Sequence, residues 1–76
     1  MRSIHEHDRV VLTADLPEHK LAAGDVGTVV HVYEGENAFE VEFVALDGET
    51  CAVVTLANSQ VRAFQQRELV HARQMA

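Results

Sequence analysis

Phe39-Glu40-Val41-Glu42-Phe43 is the stretch with the clearest period in the sequence. Apolar residues alternate there with carboxylates, and successive side chains of a β-strand point to opposite faces. The alternation therefore predicts a strand whose apolar side chains face the core. Both carboxylates are expected on the solvent side of the same strand.

Turn signals flank this strand on both sides. Residues 34–37 (EGEN) precede it and residues 46–49 (LDGE) follow it, and Gly and Asn tolerate the left-handed backbone of hairpin turns. Beyond the turns, apolar runs predict strands at 26–33 and 50–56. Val29 and Val30 are both apolar, so strand 26–33 is either buried on both faces or changes face at a bulge. Gly27 is the expected bulge, or else a point where another backbone passes closely.

The outer parts of the chain complete the pattern. Residues 8–13 predict a first strand, Pro17 marks the loop after it, and Leu21 is expected to anchor that loop to the core. Val61 and Phe64 indicate a short fifth apolar piece. Two interpretations of the C-terminal residues remain open. One is a helical turn at 65–68 followed by a strand at 69–72, and the other is a single helix with an apolar stripe from Val61 to Met75.

Five or six short strands separated by glycine turns predict an all-β fold, a small barrel or sandwich. With 76 residues there is room for one core, so residues 1–76 are expected to form a single domain. Alternation and turn spacing predict eight mostly buried residues: Val10, Leu12, Val30, Phe39, Val41, Phe43, Val54 and Leu56.

Two segments also resemble a known family. Residues 16–30 (LPEHKLAAGDVGTVV), and residues 39–43 (FEVEF) followed by Asp47-Gly48, are similar to small bacterial proteins called domain of unknown function 4926. That family is similar to SH3-like small barrels, which often open with a Gly-Asp-x-Gly-x-Val turn and strand. The resemblance therefore implies a five-stranded SH3-like small barrel. It implies no activity and no catalytic residues, since the matching positions are turn glycines and apolar core residues.

The charge of the chain is unevenly distributed. Six Lys and Arg against twelve Asp and Glu give a net charge of −6, and residues 21–61 contain seven carboxylates and no Lys or Arg. Nucleic-acid binding normally needs a basic footprint, so we expect none, and a basic protein partner suits this stretch better. No apolar run approaches the roughly 20 residues of a membrane helix, and the first residues lack the apolar stretch of a signal peptide. We therefore expect a cytoplasmic protein without a membrane partner.

Few residues offer chemistry. His5 and His7 would share a face if extended, but a metal site needs further ligands that the sequence does not place. Glu40 and Glu42 lie about 7 Å apart as two strand rises, yet the chain lacks the aromatic platforms of a sugar-binding cleft, and the plain alternative is a solvated face paired with Arg62, Arg67 or Arg73. Cys51, the single cysteine, is expected to be a buried or half-buried small hydrophobe. We therefore predict no catalytic residue, no metal site and no cofactor.

These observations predict a non-enzymatic protein-binding module. It would be the small antitoxin-like, immunity-like or regulatory partner in a two-protein bacterial system. The alternative is a small-molecule or metal-binding protein with its pocket between subunits. A homodimer is also expected, because Val-rich strands without blunted edges tend to pair, and the alternative is a monomer whose tail packs on its own barrel. The candidate partner-binding surface comprises the acidic residues Glu34, Glu36, Glu40, Glu42, Asp47 and Glu49.

Overall fold

Five antiparallel strands form one sheet in the computed structural model, which describes residues 4–64, 68–69 and 72–74. The order across the sheet is β4-β3-β2-β1-β5. In this part of the chain the remaining regular structure consists of 3-10 turns at Pro17–His19, Glu34–Glu36 and Asn58–Gln60. The strand bounds are β1 Arg9–Leu12, β2 Val26–Val32, β3 Ala38–Val44, β4 Thr50–Ala57 and β5 Val61–Ala63.

The alternation in β3 is confirmed. Phe39, Val41 and Phe43 are 2%, 0% and 3% exposed, while Glu40 and Glu42 lie on the other face and are half-buried. β3 is the most extensively paired strand, because it pairs with β4 from Ala38 to Val44 and with β2 from Phe39 to Glu42. It therefore provides the centre of both the core and the opposite, polar face.

A bulge changes the face of β2. The register with β3 shifts between Val29 and His31, so Val30 is the extra residue. Val29 is fully buried and Val30 is 40% exposed, which corrects the prediction that Val30 belongs to the core. The other seven predicted core residues are buried. The physical reason is that the bulge places both Val29 and Val32, three residues apart, on the core side.

Gly27 is not the bulge; it is the point at which β2 closely approaches β3. A Cβ built at Gly27 would lie 2.5 Å from Val41 Cγ1, 2.9 Å from Phe43 Cε1 and 3.1 Å from the Glu42 carbonyl oxygen. Gly27 pairs with Val10 of β1, and its neighbour Thr28 pairs with Glu42 of β3. The absence of a side chain at Gly27 therefore allows β2 to lie close against Val41 and Phe43 on the inner face of β3.

The loop between β1 and β2 closes one side of the core. Leu16 and Leu21 form an isolated antiparallel bridge around the 3-10 turn that begins at Pro17, and both are buried. The prediction that Leu21 anchors this loop is confirmed. Ile4, before β1, and Val61, in β5, complete the same cluster.

The observed architecture is an all-β fold with an open five-stranded antiparallel sheet. Closure into a barrel is not seen in the residues that the structure describes. The expected helical turn at 65–68 and the strand at 69–72 include residues 65–67 and 70–71, which lie outside those residues. Within residues 4–64, 68–69 and 72–74, no helix has the length and apolar composition needed to cross a membrane.

Candidate functional site

The side of β2, β3 and β4 that points away from the core has a polar centre and an apolar margin. We call it the outer face. It contains Thr28, Val30, His31 and Tyr33 from β2 and the residue after it, Glu40, Glu42 and Val44 from β3, and Cys51, Val53 and Thr55 from β4.

Glu40 is held by a hydroxyl on each side. Tyr33 donates its phenolic hydrogen to Glu40 Oε2 at 3.0 Å, and Thr55 donates from Oγ1 to Glu40 Oε1 at 2.7 Å. The arrangement follows from register, because His31 and Thr55 lie opposite Glu40 on the neighbouring strands. The ring of Tyr33 also meets His31 edge to face at 4.7 Å. Each oxygen of Glu40 therefore has one donor and a remaining lone pair.

Glu42 is oriented by a single hydroxyl. Thr50 donates from Oγ1 to Glu42 Oε2 at 2.9 Å. Directly opposite Glu42 on β4 lies Val53, which is 55% exposed. Each carboxylate thus has a hydroxyl donor from a neighbouring strand and an apolar or aromatic neighbour.

The pKa of Tyr33 records this arrangement. Its hydrogen bond to Glu40 raises the pKa above the ordinary value of 10.0, because ionising the phenol would break that bond. Partial removal from water and the negative charge of Glu40 raise the pKa further, and Thr55 opposes the change. Tyr33 therefore keeps its proton and donates a hydrogen bond to Glu40 throughout the physiological pH range.

The arginines considered as partners for these carboxylates lie elsewhere. Both terminal nitrogens of Arg62 contact the carboxylate of Glu68, and Arg73 forms a fork on Asp25 with distances of 2.8 and 2.6 Å. Pairing of the outer face with Arg62 or Arg73 is therefore wrong, and Arg67 lies outside the described residues. In the part of the chain that the structure describes, no Lys or Arg forms an ion pair with Glu40 or Glu42.

The other four members of the predicted acidic surface lie at the two ends of β3. Glu34 and Glu36 bound the 3-10 turn before β3. Asp47 and Glu49 lie in the turn after it, where the Glu49 amide donates to Asp47 Oδ1 at 3.0 Å. The six residues therefore lie along β3 and in the turns at its two ends. Only Glu40 and Glu42 belong to the outer face.

Two further candidates take positions that the sequence did not predict. The segment with His5 and His7 is a turn, with His7 at a φ of 74°, so the two imidazoles do not share the face of an extended strand. Among the described residues no group of three His, Cys, Asp or Glu side chains is placed to hold a metal ion. Cys51 is exposed, which corrects the expected burial, because Val54 and Leu56 fix the opposite face of β4 in the core.

Sequence reasoning missed the three hydroxyls that orient the carboxylates. Tyr33, Thr50 and Thr55 are ordinary strand residues, and their role depends on cross-strand register. A signal was present, since the turn at 34–37 joins two strands and brings residues before it opposite residues after it. Pairing β4 with β3 at the 46–49 turn would likewise have placed Thr50 near Glu42.

The fold and the outer face define a small all-β domain with an open antiparallel sheet and an acidic, hydroxyl-lined face. The family model described as Domain of unknown function (DUF4926) matches residues 6–63, and the chain belongs to this family. The matched range includes all five strands and the whole outer face. Neither the comparison with curated proteins nor the comparison with solved structures gave a match.

Proposed function

We propose that the protein is a non-enzymatic protein-binding module whose outer face binds a basic surface of another protein. One observation supports this most directly. Glu40 and Glu42 are fixed in position by hydroxyl donors, and no described Lys or Arg neutralises them. Oriented carboxylates with free lone pairs are acceptors for Arg or Lys side chains of a partner.

The margin of the outer face suits the same role. Val30, Val44 and Val53 are 40%, 47% and 55% exposed around the two carboxylates. Interfaces combine apolar contact area, which supplies affinity, with a few placed polar groups, which supply orientation. A partner would therefore present one or two cationic side chains within an apolar patch.

The distribution of charge supports a partner of opposite charge. Residues 21–61 include β2, β3 and β4 and contain seven carboxylates without a Lys or Arg. Such a field accelerates encounter with a basic protein and repels phosphate backbones. Faster encounter with a basic protein would suit the small acidic subunit of a two-protein system, whether antitoxin-like, immunity-like or regulatory.

Affinity capture from native lysate with two matched variants tests the proposal. Glu42→Gln removes one charge from the outer face while its amide oxygen still accepts from Thr50. Glu18→Gln removes the same charge from the exposed 3-10 turn at Pro17–His19, away from the outer face. We expect a stoichiometric basic protein on the wild type and on Glu18→Gln, and a recovery about fivefold or more lower on Glu42→Gln. Equal recovery on both variants would contradict the proposal.

Native mass spectrometry of the purified protein addresses the alternative function. A small ligand or metal that co-purifies at stoichiometric amount would favour a binding pocket between subunits. The outer-face proposal predicts instead that the mass of the purified chain equals that of the polypeptide alone.

The expected homodimer remains a proposal, and strand β4 supports it. β4 is paired on one side only among the described residues, and Thr50–Ala57 contains no charged residue and no proline. Such an edge lacks the usual features that prevent pairing with another strand. Sedimentation equilibrium tests this: a dimer is expected, and a single 8.4 kDa species at tens of micromolar would exclude it.

We also infer that the sheet belongs to an SH3-like small barrel. The support is the strand order, with β1 between β2 and β5, the 3-10 turn at Asn58–Gln60 before β5, and the close approach of Gly27 in β2 to Val41 and Phe43 in β3. An experimental structure tests the inference, since a flat open sheet would contradict it.

A further inference from the structure

A groove of about 370 Å³ lies between the β1–β2 loop and the end of the β3–β4 hairpin, where it shares Val44 and Cys51 with the margin of the outer face. Its apolar wall includes Leu21, Val26, Phe43 and Leu46. Asp25 provides a carboxylate in the same groove. An apolar wall beside one oriented charge is a common composition of a binding groove.

Arg73 of the same chain occupies the charged part of this groove. Its Nε donates to Asp25 Oδ1 at 2.8 Å, and its Nη2 donates to Asp25 Oδ2 at 2.6 Å and to the Lys20 carbonyl oxygen at 3.0 Å. This is the two-pronged geometry with which a guanidinium recognises a carboxylate, and an ammonium group cannot reproduce it.

The acceptors that bind Arg73 also make contacts of their own. Asp25 Oδ2 also accepts from the Ala22 amide at 2.9 Å, and the Asp25 amide donates to the Ala22 carbonyl at 3.0 Å. The Lys20 carbonyl is presented by a residue with a φ of 59° at the end of the 3-10 turn. The bonds between Ala22 and Asp25 lie within the loop, so the loop itself orients the Asp25 carboxylate.

The segment that carries Arg73 covers the groove incompletely. Ala72, Arg73 and Gln74 line it and are exposed, and the groove retains its open volume beside them. Leu46 is 87% exposed and Val44 is 47% exposed on the opposite wall. A segment with an arginine and an adjacent apolar side chain would fill this space better than Ala72 and Gln74 do.

We propose that the groove beside Asp25 is a binding site for an arginine in an extended segment of a partner protein, and that Arg73 is an intramolecular occupant which that arginine displaces. The charge of the loop supports a cationic occupant, since Asp47 also lines the groove and residues 21–61 contain no Lys or Arg. Glu40 and Glu42, which carry the outer-face proposal, do not line this groove, so either proposal can fail without the other.

Fluorescence anisotropy with a labelled peptide tests the proposal. The probe is a synthetic peptide with the sequence of residues 68–76, titrated with the full-length protein. In the wild type, Arg73 of the protein competes with the arginine of the peptide for Asp25, and its effective concentration as a tethered group lies in the millimolar range. We therefore expect Arg73→Ala in the protein to increase the affinity for the peptide about three- to tenfold.

Two controls separate this effect from a general change in charge. Arg9→Ala removes the same charge from exposed Arg9 in β1, outside the groove, and should leave peptide affinity at the wild-type value. A peptide in which Arg73 is replaced by Lys should bind the Arg73→Ala protein about tenfold more weakly, because the fork on Asp25 is lost. This second comparison changes only the peptide, so folding of the protein is not in question.

Three outcomes would overturn the proposal. The first is equal peptide affinity of the wild type and the Arg73→Ala protein. The second is equal binding of the arginine and lysine peptides. The third is a wild-type dimer that Arg73→Ala converts to a monomer in sedimentation, which would make a second copy of this chain the occupant of the groove.

Discussion

Substituting Gly27 by Ala should destabilise the fold by about 2 kcal/mol. The added Cβ would lie 2.5 Å from Val41 Cγ1 and 2.9 Å from Phe43 Cε1, and both side chains are almost fully buried. Overpacking costs about 1–3 kcal/mol, and two contacts this short to buried side chains put Gly27→Ala at the upper end of that range. The smaller freedom of the unfolded chain offsets about 0.4–1 kcal/mol, which leaves about 2 kcal/mol. A chain of this length has a total stability of about 4–11 kcal/mol, so the loss is large but the protein should still fold.

Urea unfolding followed by circular dichroism measures this loss. With a slope of about 1 kcal/mol per molar urea, a loss of 2 kcal/mol lowers the midpoint by about 2 M. A Gly27→Ala midpoint within about 0.5 M of the wild type would refute the close approach of β2 to β3.

A double-mutant cycle identifies the contact responsible. Val41→Ala removes the Cγ1 atom that the new Cβ would meet, so Gly27→Ala and Val41→Ala together should cost about 1 kcal/mol less than the sum of the two. Gly24→Ala is the matched control. A Cβ at Gly24 meets nothing within 4 Å, and its φ of 96° causes backbone strain alone, so its effect should add to that of Val41→Ala within about 0.5 kcal/mol. Additivity of the Gly27 pair would show that the destabilisation does not arise from the clash with Val41.

Three further predictions follow from the core, the outer face and the charge. Phe43→Ala should cost about 3–5 kcal/mol in urea unfolding, a large part of the stability of the domain, and near-native stability would contradict its burial. The chain has one tyrosine, so absorbance at high pH titrates Tyr33 alone, with a midpoint above 10.0 that Glu40→Gln lowers. Because folding raises the pKa of Tyr33, the Tyr33–Glu40 hydrogen bond stabilises the folded protein fully at pH values below the pKa of the unfolded chain. This stabilisation is lost as the pH rises through the pKa of the folded protein. An unshifted titration midpoint would contradict the bond. Gel shifts at physiological salt should show no binding of duplex or single-stranded oligonucleotides, and micromolar affinity would refute the argument from charge.

The sequence predicted the parts of the fold that depend on neighbouring residues, namely strand β3 and the turn that follows it. The alternation of Phe39, Val41 and Phe43 with carboxylates predicted β3 and its two faces, and the Asp47-Gly48 turn predicted the β3–β4 hairpin. Both features depend on residues within one strand or one turn. The predicted core failed at Val30, because a bulge shifts register by one residue and the sequence does not show at which position it lies.

The candidate sites were less predictable, because their contacts join distant parts of the chain. Arg73 and Asp25 are 48 residues apart, and no sequence period relates them. Glu40 was correctly placed on the solvent side, but its hydrogen bonds to Tyr33 and Thr55 require the pairing of three strands. Cys51 was misplaced although the predicted burial of Val54 and Leu56 already implied, by alternation within β4, that Cys51 faces outward.

The hydroxyls of the outer face have a further consequence for binding. Thr55 and Tyr33 each donate to one oxygen of Glu40, which restricts its rotamers before any partner arrives. A carboxylate already held in one orientation loses less side-chain freedom on binding. Thr55→Val removes one of these donors without changing the charge or the size of the side chain.

We therefore expect Thr55→Val to weaken binding of the captured basic partner about two- to threefold, less than the charge-removing Glu42→Gln does. The salt dependence of binding should be unchanged, because the number of ion pairs is the same. Affinity measured at two ionic strengths distinguishes the effects of orientation and charge. If Thr55→Val binds as the wild type does, the hydroxyls serve the sheet alone and Glu40 is not pre-oriented for a partner. If its salt dependence falls instead, Glu40 has lost its contact with the partner's cation, and orientation and charge act through the same bond.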